Sequence, residues 1–223
     1  MPEALKIALP KIDIRRMEAT VIGDSPLICH AWSTKSKKML LDKQMKRAKQ
    51  AKEARDPEAE LEACFYRLPD GRFGMPAAAF KHAMVGACRF ADNLKMTELR
   101  GALHVVGELV PIEGEPTPRE DMVRIGMGVA DIRFRPEFRE WKATLAIDFN
   151  AAVISPEQII NLLTLAGFGV GIGEWRPECD GQYGRFHVQT EEPRDGEKSS
   201  SESADNLRVE AADELPPRRA KGR

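Results

Sequence analysis

The sequence lacks an apolar run of about 18 residues and a charged-then-apolar leader, so neither a membrane span nor secretion is expected. It is also poor in ligand patterns. Its four cysteines, Cys29, Cys64, Cys88 and Cys179, are separated by 35, 24 and 91 positions, which fits no Cys-x-x-Cys zinc spacing. Free thiols in the reducing cytoplasm of a bacterial cell are the expectation, for a bacterial protein or for a phage protein made there. The four histidines, His30, His82, His104 and His187, are each isolated. No zincin or nucleophile-elbow motif is present, so no metal or cofactor is expected. Excess charge of one sign is missing too. Lys and Arg number 34 against 35 Asp and Glu, a net charge of -1, which argues against a uniformly basic coat for nucleic acid.

That small total is a cancellation of blocks. Residues 35–55 hold nine Lys or Arg and two Asp or Glu, a local +7. Residues 191–214 carry -6 and the last nine residues +4, leaving -6 for the rest. The segment 191–223 has few large aliphatics and cannot bury enough apolar surface to offset its chain entropy. It is expected to be a disordered acidic tail with a basic end, appended to a domain of residues 1–190.

Along that domain, Ile12, Ile14 and Met17–Ile22 predict a first strand, ended by the turn residues Gly23–Pro26. Leu27–Trp32 leads to a basic helix over 38–55 with a thin apolar stripe of Leu41, Met45 and Ala48. Leu61–Arg67 and Arg72–Phe73 flank Pro69-Asp70-Gly71 as a hairpin. Pro76 opens a helix whose face Phe80, Ala83, Met84, Ala87 and Cys88 leaves Lys81 and Arg89 free. Leu99–Val110 reads as a strand. Residues 111–140 read as an extended excursion outside the core. Trp141–Phe149 alternates as a half-buried strand. Ser155, Pro156 and Gln158 begin a helix with a capping box, and Gly167 is expected to stop it. Gly184–Gln189 is the last strand, with Phe186 and Val188 inward. Two helices on one side of a mostly antiparallel sheet give an α+β, ferredoxin-like arrangement.

The strongest local feature is the run from Gly167 to Arg185, with six glycines in its first eighteen residues. Glycine permits positive φ and close backbone approach to a ligand, and successive N–H groups can form a phosphate nest. Trp175 and Tyr183 offer stacking faces; Arg176 and Arg185 offer phosphate pairing. The other reading is a tight packing loop with Trp175 plugging the core. The basic block supplies Lys35, Lys37, Lys38, Lys43, Lys46, Arg47, Lys49 and Lys52 for phosphates. It contains no aromatic, so it would hold backbone rather than bases. The excursion adds Arg119, Arg124, Arg133, Arg135 and Arg139, either on a binding arm or on a solvated loop. For catalysis only His30 and Asp24 present themselves, as groups to assist 2′-hydroxyl attack; a turn-capping role for Asp24 is the plainer alternative.

The strand ending in Gly23–Leu27, the helix entry Met75-Pro76-Ala77-Ala78-Ala79-Phe80-Lys81 and the glycine-rich loop before the last strand together resemble the RAMP superfamily. That superfamily includes the backbone and repeat-processing subunits of CRISPR ribonucleoproteins. The Gly-Ile-Gly-Glu-Trp-Arg-Pro and Tyr-Gly-Arg-Phe ending also resembles phage and prophage proteins. The resemblance implies an RRM-like domain with its glycine-rich loop near RNA. It implies a basic helical insertion at 35–60, a thumb-like hairpin at 105–140, and side-by-side assembly along a guide strand. The residues it carries over are Gly169, Gly171, Gly173, Arg176 and Gly184, with Lys81 and Arg89 on the helix. The expected function is non-catalytic binding of RNA or single-stranded DNA, as a homo-oligomer or ribonucleoprotein subunit. A metal-independent endoribonuclease and a phage assembly or anti-CRISPR-type protein, acting through protein contacts, are the alternatives.

Overall fold

The computed structural model describes residues 12–47, 54–91, 94–125 and 128–190. The expectations for Lys49, Lys52 and the tail 191–223 lie outside the described residues. In chain order the elements are β1 (Ile14–Gly23), β2 (Leu27–Ile28), α1 (Thr34–Gln44), α2 (Pro57–Glu62), β3 (Tyr66–Arg67), β4 (Phe73–Pro76) and α3 (Ala77–Ala87). They continue as α4 (Met96–Ala102), β5 (Leu103–Val105), β6 (Leu109–Pro111), β7 (Pro116–Ile125), β8 (Val129–Phe138), β9 (Lys142–Asn150), α5 (Pro156–Gly169) and β10 (Phe186–Val188).

The central sheet has the order β10-β1-β9-β5, antiparallel throughout. With α3 between β1 and β5, and α5 between β9 and β10, this is the βαββαβ plan with order 4-1-3-2, a ferredoxin-like α+β fold. The alternation in β9 sets the buried face: Ala143, Leu145, Ile147 and Phe149 point at the core. Across the β1 register, Ala19 and Val21 join them. Phe80, Ala83 and Met84 of α3 and Ile159, Leu162, Leu163 and Ala166 of α5 close that face. The opposite face is polar, with Arg16 on Asp148 and Thr20 hydrogen-bonded to Thr144.

Two long insertions decorate this plan. The first, between β1 and α3, carries β2, α1, α2, β3 and β4. The second, between β5 and β9, carries β6 and the hairpin β7–β8. They pair with each other, giving the small sheets β2-β8-β7 and β3-β4-β6. Phe65, Phe73 and Phe138 stack between them, with centroids 4.8 to 6.4 Å apart. Among the described residues no helix is long and apolar enough to cross a membrane.

The sequence reading needs five corrections. The basic helix begins at Thr34 rather than Lys38 and ends at Gln44; the part of the expected helix over 48–53 lies outside the described residues. Ser33 caps it by accepting the Ser36 N–H at 3.1 Å, and the chain turns out of it at Lys46, whose φ is 54°. Leu99–Val110 is not one strand. Leu99 and Ala102 are buried one helical turn apart on α4, and β5 and β6 are separate short strands. The Leu61–Arg67 strand shrinks to Tyr66–Arg67, because Asp56 caps a short helix before it. The 111–140 excursion is a ten-residue-per-strand hairpin whose base is inside the protein, with Asp121, Arg135, Glu137 and Phe138 buried. Gly167 does not stop α5. It lies inside the helix, where a Cβ would overlap the Phe186 carbonyl oxygen, so its role is to let β10 cross close to the helix.

That crossing gives a stability test. Gly167→Ala is expected to cost about 1–3 kcal/mol through overpacking, read as a lower urea midpoint. Gly101→Ala, where a Cβ meets nothing within 4 Å, serves as the control and is expected to be stabilising by about 0.4–1 kcal/mol.

Candidate nucleic-acid interface

The glycine-rich segment leaves α5 at Gly171 and returns to the sheet at β10. Gly171, Gly173 and Gly184 have φ of 70°, 78° and 64°, a region open to glycine without strain. Trp175 shares that region at φ 52°. The segment is tied down from within. Gly171, Ile172, Glu174, Gly181, Tyr183 and Gly184 all donate their N–H groups to internal carbonyls. The run of successive free N–H groups that a phosphate nest requires is therefore interrupted. The packing role of Gly171, Gly173 and Gly184 is visible directly: a Cβ at each would overlap a neighbour. Gly169 sits at the end of α5 against the ring of Phe90.

On one side of the segment lies a cleft of about 230 Å³, lined by His30, Tyr66, His82, Gly171–Glu174 and Arg176 over Met75, Pro76 and Ala79. His30 Nδ1 is 3.4 Å from Glu174 Oε1, and His82 Nε2 is 3.2 Å from Glu178 Oε2. Arg176 and Arg89 also pair with Glu178, at 3.0 and 3.2 Å. The hydrogen bond from His30 holds the Glu174 carboxyl below its ordinary value, with burial opposing and Arg135 and Arg176 assisting. Burial opposes ionisation of Glu178, and the bonds from Arg176 and His82 outweigh it. Asp24 is not part of this cleft pairing; it hydrogen-bonds His187. Burial, aided by Cys64, pushes the nearby Cys29 thiol up to about 12, which leaves it protonated and a poor nucleophile.

On the other side lies an open groove of about 510 Å³ between Ser25 and the stretch from Trp175 to Arg185. The Trp175 and Tyr183 rings, both half-buried, have centroids 6.0 Å apart at 47°. Arg119, from the hairpin base, lies 4.8 Å from the Tyr183 centroid and 5.4 Å from that of Trp175. Its guanidinium also donates to Asp121, Glu137 and the Tyr183 hydroxyl at 2.8, 2.8 and 3.2 Å. Arg135, whose side chain is 7% exposed, sits 5.4 Å from the Trp175 centroid. Burial disfavours the Arg119 charge, but those hydrogen bonds more than restore it.

The remaining candidates scatter. Lys35, Lys37, Lys38 and Lys43 are on α1, which buries none of its residues. Lys46 follows, and Arg47 pairs with Asp42 at 2.9 Å. Lys81 and Arg89 are not free as expected. Lys81 Nζ is 3.1 Å from His104 Nδ1, and Arg89 bonds Gly86 and Glu178, because both side chains reach a neighbouring element. Arg133 pairs with Asp131, and Arg139 lies 3.6 Å from Glu137. Arg124 is exposed on β7, far along the hairpin from its base. Sequence reasoning missed Tyr66, His82, Glu174, Glu178 and Trp32. Only Trp32 carried a local signal, an aromatic just before the basic block. That residue is 57% exposed, with Lys37 Nζ 5.7 Å from the ring centroid. Among the described residues no group of three His, Cys, Asp or Glu side chains is arranged to hold a metal ion.

No family model matches the sequence, and no curated protein matches it. Among solved structures, the crystal structure of Cmr6 from Pyrococcus furiosus matches with a TM-score of 0.40 and 10% identity, over 80% of this chain and 100% of that one. Likeness at that level carries no argument about activity.

The depressed Glu174 carboxyl makes the cleft's contribution pH-dependent. A carboxyl lowered on folding adds stability that is complete above its unfolded value and is lost as the pH falls through the folded one. Glu174→Gln is therefore expected to be less stable than wild type above about pH 4.3, with the gap closing at lower pH. Urea midpoints across that range test it, and a gap that stays constant with pH contradicts it.

Proposed function

We propose that the protein binds single-stranded nucleic acid, RNA or DNA, without cutting it, as a subunit sitting side by side with its own copies along the strand. The observation that carries this reading is α1. The helix presents four lysines, has no acid in its first turn and buries no residue. A helix that buries none of its residues adds little to the core, which leaves its exposed surface available to a partner. The lysines suit a phosphate backbone, and Lys38, Lys43 and Lys46 make no ion pair among the described residues. Trp32 adds a stacking face two residues after His30, so its Cα stands within about 7 Å of that cleft residue. Phosphates do not account for Met39, Leu40, Leu41 and Met45, which are also exposed. Those aliphatics suit the neighbouring copy, whose body carries the opposite charge.

The test is fluorescence anisotropy with a labelled single-stranded oligonucleotide over a salt series. Replacing Lys38, Lys43 and Lys46 by Glu is expected to lower the slope of log K against log salt by about 2, near 0.7 per lost contact. Trp32→Ala is expected to weaken binding by about 1–3 kcal/mol with the slope retained. An unchanged affinity and slope in both variants overturns the proposal.

A second reading, metal-independent RNA cleavage, is favoured by one observation: His30 and His82 line the same cleft, each beside its own carboxylate. One imidazole would take the 2′-hydroxyl proton while that oxygen attacks phosphorus. The other would protonate the departing 5′-oxygen, leaving a 2′,3′-cyclic phosphate and a 5′-hydroxyl. Under this reading His30→Ala and His82→Ala each abolish cutting and keep binding. Intact RNA after long incubation with wild type removes it.

A further inference from the structure

We propose that the groove between Ser25 and the end of the glycine-rich segment is a pocket for one unstacked nucleotide: base against Trp175 and Tyr183, phosphate on Arg185. The proposal rests on the nucleic-acid reading above and adds the class of strand it takes.

Three features argue for it. The first is the aromatic pair. Two large rings kept half-buried at the lip of a groove contribute less to the core than full burial would give. They are nonetheless fixed with unusual firmness. Trp175 holds a left-handed φ of 52°, a conformation that bulky residues rarely adopt. Gly181 makes room for it, since a Cβ there would overlap the Trp175 carbonyl. Arg119 binds the Tyr183 hydroxyl and lies against both rings, and Arg135 lies against Trp175. Strain at an over-determined, half-buried aromatic lining a groove is a mark of a pre-organised contact.

The second feature is Arg185. Its backbone is pinned, with the N–H on Ser25 Oγ at 3.0 Å and the carbonyl accepting from Asp24. Its guanidinium makes no ion pair among the described residues, and Nε is buried without a hydrogen-bond partner. Arg176, the other arginine of the segment, is neutralised by Glu178. A charge left without an ion pair in the same groove as two aromatic rings suits an anion attached to a flat, π-rich group. The third feature is size. About 510 Å³ is ample for one nucleotide and far too small for a duplex. A base must leave its stack to enter, so the pocket selects single strands and frayed ends over paired helices. Ser25 and Gln182 at the rim supply polar groups for a base edge.

The test titrates the full chain with adenosine and uridine 5′-monophosphates while tryptophan emission is followed. Wild type is expected to show saturable quenching in the millimolar range, absent in Trp175→Phe. Arg185→Gln is expected to need about tenfold more monophosphate for the same quenching, since a charge-assisted pair is lost. Inorganic phosphate alone is expected to leave the emission unchanged. Quenching that survives unaltered in Arg185→Gln, or is reproduced by phosphate, or is absent in wild type, overturns the pocket. The oligonucleotide assay separates the two readings. Oligonucleotide binding through α1 that persists while the monophosphate fails removes only the pocket; failure of both removes the nucleic-acid reading as well.

Discussion

The structure hinges on the guanidinium of Arg119. It bonds two carboxylates, Asp121 and Glu137, and the hydroxyl of Tyr183, and it lies against the rings of Tyr183 and Trp175. In doing so it joins the second insertion to the glycine-rich segment, elements that no continuous sheet connects. The environment raises the stakes. Asp121 and Glu137 are 5% and 9% exposed, and without Arg119 each would keep only a longer ion contact, Asp121 with Arg135 at 3.5 Å and Glu137 with Arg139 at 3.6 Å. Removing one member of such a set costs far more than the set contributes when complete, about 3–5 kcal/mol in comparable buried pairs. The arrangement is thus a specificity device: the hairpin has one seat in which its buried charges stand beside opposite ones. Everything on the groove side of the molecule inherits that seat.

The glycine-rich segment shows how a real sequence signal can carry a different meaning. Its glycines stand out at once, and a phosphate cradle is the natural expectation. In the fold they resolve steric conflicts one by one: Gly167 against β10, Gly173 against β2, Gly181 against Trp175, Gly184 against Ile172. Most of the segment's N–H groups, those of Gly171, Gly181 and Gly184 among them, are taken up by nearby carbonyls. What remains for a ligand is not the backbone but the side chains it presents. The segment thus separates a cleft with two histidines from a groove with two aromatic rings.

Legibility followed the range of the interactions. The β9 alternation and the α5 capping box were readable because each is complete within ten residues. The ferredoxin-like order followed from the two clearest strands and helices. The cap at Ser33 was equally local, but the density of lysines beyond it drew the helix start too far along the chain. Leu99–Val110 was ambiguous in principle, since a short apolar run fits a strand or one buried turn of helix, and burial alone decides. The site was least readable. His30 meets Glu174, His82 and Arg89 meet Glu178, and Arg119 meets Tyr183 only after the sheet has closed. No spacing rule links residues tens of positions apart, so an isolated histidine could not be told from a functional one.

The charge pattern gains a physical explanation in the folded chain. Arginines are largely spent on intramolecular pairs: Arg16, Arg55, Arg67, Arg89, Arg119 and Arg176 each hold a carboxylate. Lysine dominates α1 instead. A guanidinium loses little by committing to one geometry, whereas an ammonium on a flexible stem stays hydrated and serves any anion that passes. The two cations thus lean to different tasks, arginine to pairs within the fold and lysine to the exposed surface of α1. Arg185 breaks that division, an arginine of the fixed framework left without its carboxylate at the edge of an aromatic groove. Among the described residues Arg100 and Arg124 also hold no carboxylate, but both are exposed, whereas Arg185 keeps a buried nitrogen without a partner at the wall of a cavity.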